Sequence, residues 1–515
     1  MKTQFKIWLL VIFIITYSMT CPTLQSHNHD RDYEKEVSNI INTVNHNLHT
    51  GIAVASIDGP AKNLPIYYEK NAQQLFVPAS NMKILTALAA LHYLKPDFKF
   101  RTIIYTDGDI TDRTDKVLEG NLYLKGDGDP SLSVDHLEQL VLELKKRNIT
   151  TIHGDICIDN TCFDSMQFGP GCAWDDGACS WNAPIDGLNI NNNCVTITVS
   201  PGTYSGTQHI GSQHLPTVYS VSPLYSEPFV KIYNRSETIQ TKNQPTIAIT
   251  RRWQNHENSI DITGTLPNTI PFFEETVSIE NPALFAGHLF TKILTKHAIT
   301  FTGNVKIRKT PEHALVLTHH YSKPLYTLIN HMLSTSDNLY ADALFKKLGS
   351  VYTSAPGSFS RGTEAIKKFL VHELNFAQHE CVVVDGSGLS RYNLLSPQQI
   401  LKLLVWAAQS PYASYFTKAL AVSGKSGTLL KRLSKLSGAV HAKTGTLGGV
   451  SSLSGYLHRP DKTVVAFSFL LNGFVQPTNK TVVSLGLVTH EHDSNKIIDY
   501  KAQVEDELCY YFAVC

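Results

Sequence analysis

The chain has 515 residues, 42% of them hydrophobic and 17% charged, with 45 basic and 44 acidic side chains. Such a length predicts two or three domains, and such a composition excludes a disordered chain. A formal charge of +1 gives no case for nucleic acid as a partner.

Residues 1–20 read as a secretory signal. Lys2 and Lys6 precede the apolar run Ile7 to Ile15, which is too short for a membrane span, and smaller residues follow. Cleavage is expected near Cys21, where Ser18-Met19-Thr20 is a poor match to a lipidation signal. Of nine cysteines, five fall between 157 and 194. In an exported chain this favours disulfides over zinc, and Cys509 with Cys515 could close a small loop.

In chain order, 34–48 has the spacing of an amphipathic helix, and 51–58 with the segment around 66–68 that of a strand hairpin. Pro78-Ala79-Ser80-Asn81-Met82-Lys83 then opens an apolar helix. Ser80 and Lys83, three apart, share a helix face. A serine hydroxyl needs an adjacent base to become a nucleophile, and a lysine serves if burial keeps its amine partly neutral. Taken alone, the pair is equally a helix start with a surface lysine.

Some 255 residues separate Ser80 from the next motif. They open with strands near 98–104 and 121–125, the second ending in the turn Gly126-Asp127-Gly128-Asp129-Pro130, which lacks the length of a calcium loop. A helix is expected over 132–147, a strand over 152–159 and short alternating strands over 195–263. Helices follow at 282–294 and 325–333, then at 339–345, 362–374 and 397–407. Strands are expected at 441–444, 451–457 and 463–471, and a closing helix at 483–487, extending toward 490.

Ser336-Asp337-Asn338 and Lys443-Thr444-Gly445-Thr446 follow Ser80-x-x-Lys83 in the order of the penicillin-recognising serine enzymes. Each alone has a plain reading, a helix cap or a strand end. With Asp385-Gly386-Ser387-Gly388-Leu389-Ser390-Arg391, the set resembles the D-alanyl-D-alanine carboxypeptidase/endopeptidase family of the penicillin-binding protein 4 type, serine peptidase family S13. The resemblance implies an α/β fold: a DD-peptidase/β-lactamase-like catalytic domain, an antiparallel sheet flanked by helices, with a large β-rich insertion. The expected division is 1–20 signal, 21–95 catalytic domain, 96–277 inserted region of two small β-rich domains, and 278–515 catalytic domain resumed.

The resemblance also implies roles. Ser80 attacks a carbonyl and Lys83 takes its proton. Ser336 relays a proton to the leaving amine with Lys83 or Lys443 assisting, and Asn338 holds substrate and Lys83. Thr444, Gly445 and Thr446 bind substrate, and the N–H groups of Ser80 and Thr446 form the oxyanion hole. No cofactor and no metal is implied. The expected ligands are peptidoglycan stem peptides and β-lactams; peripheral membrane association and a homodimer stay open. Gly424-Lys425-Ser426-Gly427-Thr428 is a near-repeat of the lysine motif, with Ser426 where the family usually has aspartate. The rival readings are a β-lactamase, an esterase on the same fold, and a non-catalytic wall-binding protein. His372-Glu373-Leu374-Asn375 lacks the glutamate spacing of a β-lactamase.

Overall fold

Strands buried on both faces carry apolar runs instead of alternating ones. Val464–Asn472 is of this kind, and its neighbour Val450–His458 is equally buried although it carries Ser451, Ser452 and Ser454. They occupy the middle of a six-stranded sheet in the order Ile66–Lys70, His49–Ser56, Val464–Asn472, Val450–His458, Val440–Leu447, Ala421–Val422. Every pairing in it is antiparallel. The structure, a computed structural model, describes residues 33–42, 48–58, 65–111, 116–202, 214–240, 243–377, 379–474 and 494–515. The expected signal at 1–20 and closing helix at 483–490 lie outside the described residues.

Two layers cover the sheet. On one face lie helices Met82–Leu94, Leu325–Thr335, Asn338–Thr353, Phe359–Leu374 and Pro397–Gln409, sharing one core with Ala53, Ala466 and Leu470. Helix Met82–Leu94 sits in the middle of that layer, with every residue from Met82 to Leu91 buried. A helix apolar all round can be stable only in such a place. The opposite face packs Val54, Leu453 and Phe467 against Val37 of helix Tyr33–Asn42 and Leu508 and Phe512 of helix Ser494–Val514.

A second core fills the stretch between the serine motifs. Its five-stranded sheet runs Val305–Ile307, Ile156–Asp159, Leu122–Lys125, Arg101–Thr106, Leu315–Tyr321, and smaller sheets complete it. Helix Pro282–Lys296 packs into this core through Phe285, Leu289 and Phe290. The second core runs on to Leu317 and its sheet to Tyr321, while the first takes Phe163, Ala183, Ile185 and Cys194 from the intervening stretch before its helices resume at Leu325. An apolar helix does not reveal from sequence which of two cores it will fill.

The strand expected over 152–159 is two, Ile149–Ile152 and Ile156–Asp159, because each enters a different sheet. Between them Gly154 passes so close to the Gly120 carbonyl that a side chain would clash.

Helix Asn338–Thr353 joins the two cores. Asn192 donates to the Asp337 carboxylate at its start (2.6 Å), and Asn338 donates to the Trp181 carbonyl (2.8 Å). Further along, Lys346 pairs with Asp164 (2.7 Å) and Lys347 with Asp127 (2.5 Å).

The expected disulfides are corrected. All eight described cysteines are free. Six residues of helix rise about 9 Å, beyond the reach of a bridge between Cys509 and Cys515. In the 157–194 cluster the sulfurs turn to other partners: Cys172 donates to Asn182 Oδ1 (3.1 Å) and Cys194 to the Asn192 carbonyl (3.2 Å).

Candidate active site

The chain reaches Ser80 through Ala79, held at φ +47°, and a single 3-10 turn, Ala79–Asn81, leads into helix Met82–Leu94. A positive φ at alanine is strained and persists only where the surroundings fix it. Here the 385–391 turn presses on it: Gly388, at φ +86°, leaves no room for a Cβ beside the Ala79 carbonyl.

Lys83, one turn beyond the serine, is fully buried. Its Nζ donates to Ser80 Oγ (2.9 Å), Asn338 Oδ1 (2.5 Å) and the Ser387 carbonyl (2.7 Å). An ammonium has three hydrogens, and all three are used. Burial pulls the amine down from 10.5 to about 8, against the opposing charges of Asp342, Asp385 and Asp337.

The two buried aspartates are tied into the 385–391 turn. Asp342 accepts from the Gly386 and Ser387 amides (2.8 and 3.0 Å). Asp385 accepts from the amides of Gly388 (2.8 Å) and Ser390 (2.7 Å) and from the Asn393 side chain (2.7 Å). Burial raises both carboxyls, Asp342 to about 7 with the charge of Asp385 adding to the rise. The turn also supplies the Ser387 carbonyl that holds Lys83.

Ser336 ends helix Leu325–Thr335 at φ +66°, and Asp337 caps the next helix by accepting from the Tyr340 amide (3.1 Å). The capping and the site readings of this motif are thus compatible. The same turn that caps the helix projects Asn338 onto Lys83 and places Ser336 on a cleft of about 370 Å³. Trp181, Asn192, Thr196 and Thr276 line the cleft's other side, all from the intervening region.

The lysine motif lies on strand Val440–Leu447. Gly445 passes so close to Ser80 that a Cβ there would stand 2.9 Å from the Ser80 amide nitrogen and overlap Ser452 Oγ. Lys443 is buried, donates to the Thr444 carbonyl (2.8 Å), and is held well below the ordinary lysine range by burial and then by the charge of Lys83. Thr446 is exposed at the strand's end.

The near-repeat is attached to this motif: Thr444 Oγ1 donates to Thr428 Oγ1 (2.8 Å). At the departure from the family pattern, the Ser426 hydroxyl accepts from the Val422 amide (3.2 Å). Arg432 meets Glu505 (2.9 Å) and Asp506 (2.7 Å) of the C-terminal helix.

The structure therefore brings Ser80, Lys83 and Asn338 into direct contact and sets Gly445 beside them. Asp342 is the partner that sequence reasoning did not single out, and the Ser387 and Trp181 groups that meet the site are backbone carbonyls. Asp342 carried a signal, since it lies one helical turn beyond Asn338; the two carbonyls carried none.

A serine hydrogen-bonded to a buried lysine, between an all-helical layer and the edge region of an antiparallel sheet, defines a penicillin-recognising serine enzyme with the DD-peptidase/β-lactamase-like fold. The chain belongs to the D-Ala-D-Ala carboxypeptidase 3 (S13) family, whose profile matches residues 35–492. It is 28% identical to the D-alanyl-D-alanine carboxypeptidase DacB of Haemophilus influenzae, over 90% of this chain and 91% of that one. It is 30% identical to a D-alanyl-D-alanine carboxypeptidase of Actinomadura sp., over 80% of this chain and 76% of that one. The crystal structure of penicillin binding protein 4 (dacB) from Haemophilus influenzae superposes with a TM-score of 0.75 at 27% identity, covering 92% of this chain and 99% of that one.

Proposed function

We propose that the protein is a serine D-Ala-D-Ala carboxypeptidase, with D-alanyl endopeptidase activity on the same type of bond, acting on peptidoglycan peptides through an acyl-Ser80 intermediate. The observation that carries this reading is Lys83 Nζ 2.9 Å from Ser80 Oγ, with its amine brought down to about 8. A usable fraction of Lys83 is then neutral near physiological pH, with two hydrogens for Asn338 and Ser387 and a lone pair toward the serine proton.

In the first step Ser80 Oγ bonds to the penultimate D-alanine carbonyl carbon as its proton passes to Lys83. The carbonyl oxygen becomes an oxyanion, met by the backbone N–H groups of Ser80 and Thr446. The C–N bond then breaks. Ser336 passes a proton to the leaving amine and regains one from Lys83 or Lys443. Water attacks the acyl-serine, and the proton flow reverses. Thr444 and Thr446 receive the substrate carboxylate, and Gly445 lets its backbone approach. One of the two amide hydrogens of Asn338 goes to Trp181, leaving the other for the substrate.

β-Lactams acylate the same serine in this scheme; a related structure, of Haemophilus influenzae penicillin binding protein 4, is a complex with a β-lactam. Efficient deacylation in class A β-lactamases uses a placed glutamate. Glu373 instead lies 3.8 Å from His92, some 18 Å along the nucleophile helix from Ser80. The signal-like residues 1–20 and the wall substrate support a periplasmic location in a Gram-negative cell. Among the described residues no helix is long and apolar enough to cross a membrane.

The test is release of free D-alanine from a peptide ending in D-Ala-D-Ala. Wild-type protein should release it and Ser80→Ala should not; a wild type that releases none contradicts the reading.

A further inference from the structure

The two cores meet around a second cavity, of about 550 Å³, that the acyl-transfer chemistry does not use. Five basic side chains face it: Lys99, His136, His320, Lys323 and His331. Ser131, Tyr321, Ser322, Thr327 and Tyr340 add hydroxyls, and no aspartate or glutamate is among its lining residues. Lys99 and Lys323 are exposed and have no ion-pair partner among the described residues.

The histidines are arranged, not scattered. The His136 and His320 rings stack at 4.2 Å, and His320 Nε2 is buried with no protein partner among the described residues. Burial and the neighbouring His136 push His320 down to about 4, so it enters neutral at pH 7 and can donate one hydrogen bond. His136 lies in the first turn of helix Val134–Lys146, whose N-terminal dipole favours an anion. Asp129 stands behind the wall, holding the Ser131 amide (2.8 Å) and hydroxyl (2.7 Å). On the other side His331 meets Asp337 at 3.2 Å, which connects the cavity to the Ser336-Asp337-Asn338 turn.

We propose that this cavity is a second, anion-binding subsite that takes a carboxylate of a neighbouring peptidoglycan peptide. Two exposed lysines and the hydroxyls of Tyr321, Thr327 and Tyr340, with no carboxylate among the lining residues, suit a carboxylate. Its place beside the catalytic turn fits a second peptide of the same network. The choice of wall peptide rests on the functional reading above.

The test is isothermal titration of the Ser80→Ala protein, which cannot turn over, with a purified muropeptide ending in D-Ala-D-Ala. Two binding events are expected. Adding Lys99→Ala and Lys323→Ala should weaken one of them at least about tenfold. Lys99→Gln with Lys323→Gln, which keeps side-chain length, should do the same, and thermal melting controls for the fold. The muropeptide with amidated carboxylates should show no lysine-dependent event. An isotherm unchanged by either pair of substitutions overturns the subsite. A lysine-dependent event that inorganic phosphate reproduces with higher affinity overturns its assignment to a wall peptide. The functional reading fails by a different sign, a wild type that releases no D-alanine.

Discussion

Lys83 Nζ lies 2.5 Å from Asn338 Oδ1, although 255 positions of chain separate them. Between the two, the chain builds an entire second core and then returns. The contact works as a register mark: helix Asn338–Thr353 must seat correctly against the nucleophile helix for Lys83 to find its acceptors, and the same helix grips the second core.

The electrostatics of that lysine set a pH dependence. In the proposed mechanism the neutral amine is the active form, so the rate of acylation by benzylpenicillin should climb with pH along a limb centred near 8. Asp342 is the leading charge opposing the effect of burial, so its removal should lower the lysine further. Asp342→Asn should therefore move the limb to lower pH. An unmoved limb, measured over pH 6 to 10, contradicts the electrostatic link.

Gly445→Ala tests the close approach of sheet and nucleophile. The added methyl would overlap Ser452 Oγ and stand 2.9 Å from the Ser80 amide, so strand or serine must shift. A displacement of about 1 Å costs roughly 100-fold in rate, with about 1–3 kcal/mol of overpacking. Acylation kinetics beside thermal melting should show a rate loss far larger than the loss of stability explains.

The junction between the cores is tested at Asp164. Lys346 is fully buried and Asp164 is 35% exposed. Asp164→Ala leaves a buried ammonium with the Met166 carbonyl and the rings of Phe163 and Phe359 as its remaining partners. Stability to urea should fall by about 1–3 kcal/mol, the cost of leaving a buried donor short of a partner, since Asp164 itself is partly solvated. Asp164→Asn should recover part of that.

Much of the site was legible because its chemistry is written in short spacings. Ser80 and Lys83 are one turn apart in bonding contact, and Asp337 caps the helix at whose start Asn338 meets Lys83. What stayed hidden depends on long-range folding. The Ser387 and Trp181 carbonyls are backbone groups, which any residue could supply. Helix Pro282–Lys296 could have filled either core. The cysteine cluster suggested bridges because sequence records proximity along the chain, whereas a bridge depends on direction in space. At Ser426 the loss of a family aspartate reads as damage, yet the hydroxyl holds the turn and the C-terminal helix supplies the carboxylates for Arg432.

The central claim is that Ser80 is the nucleophile of a penicillin-recognising peptidase. Intact mass of the purified protein during a timed incubation with benzylpenicillin, run beside Ser80→Ala, tests it most directly. The account predicts a one-to-one adduct on the wild type that persists for minutes or longer and is absent from the variant. An adduct of equal extent on Ser80→Ala, or rapid drug hydrolysis with no lasting adduct, would contradict it.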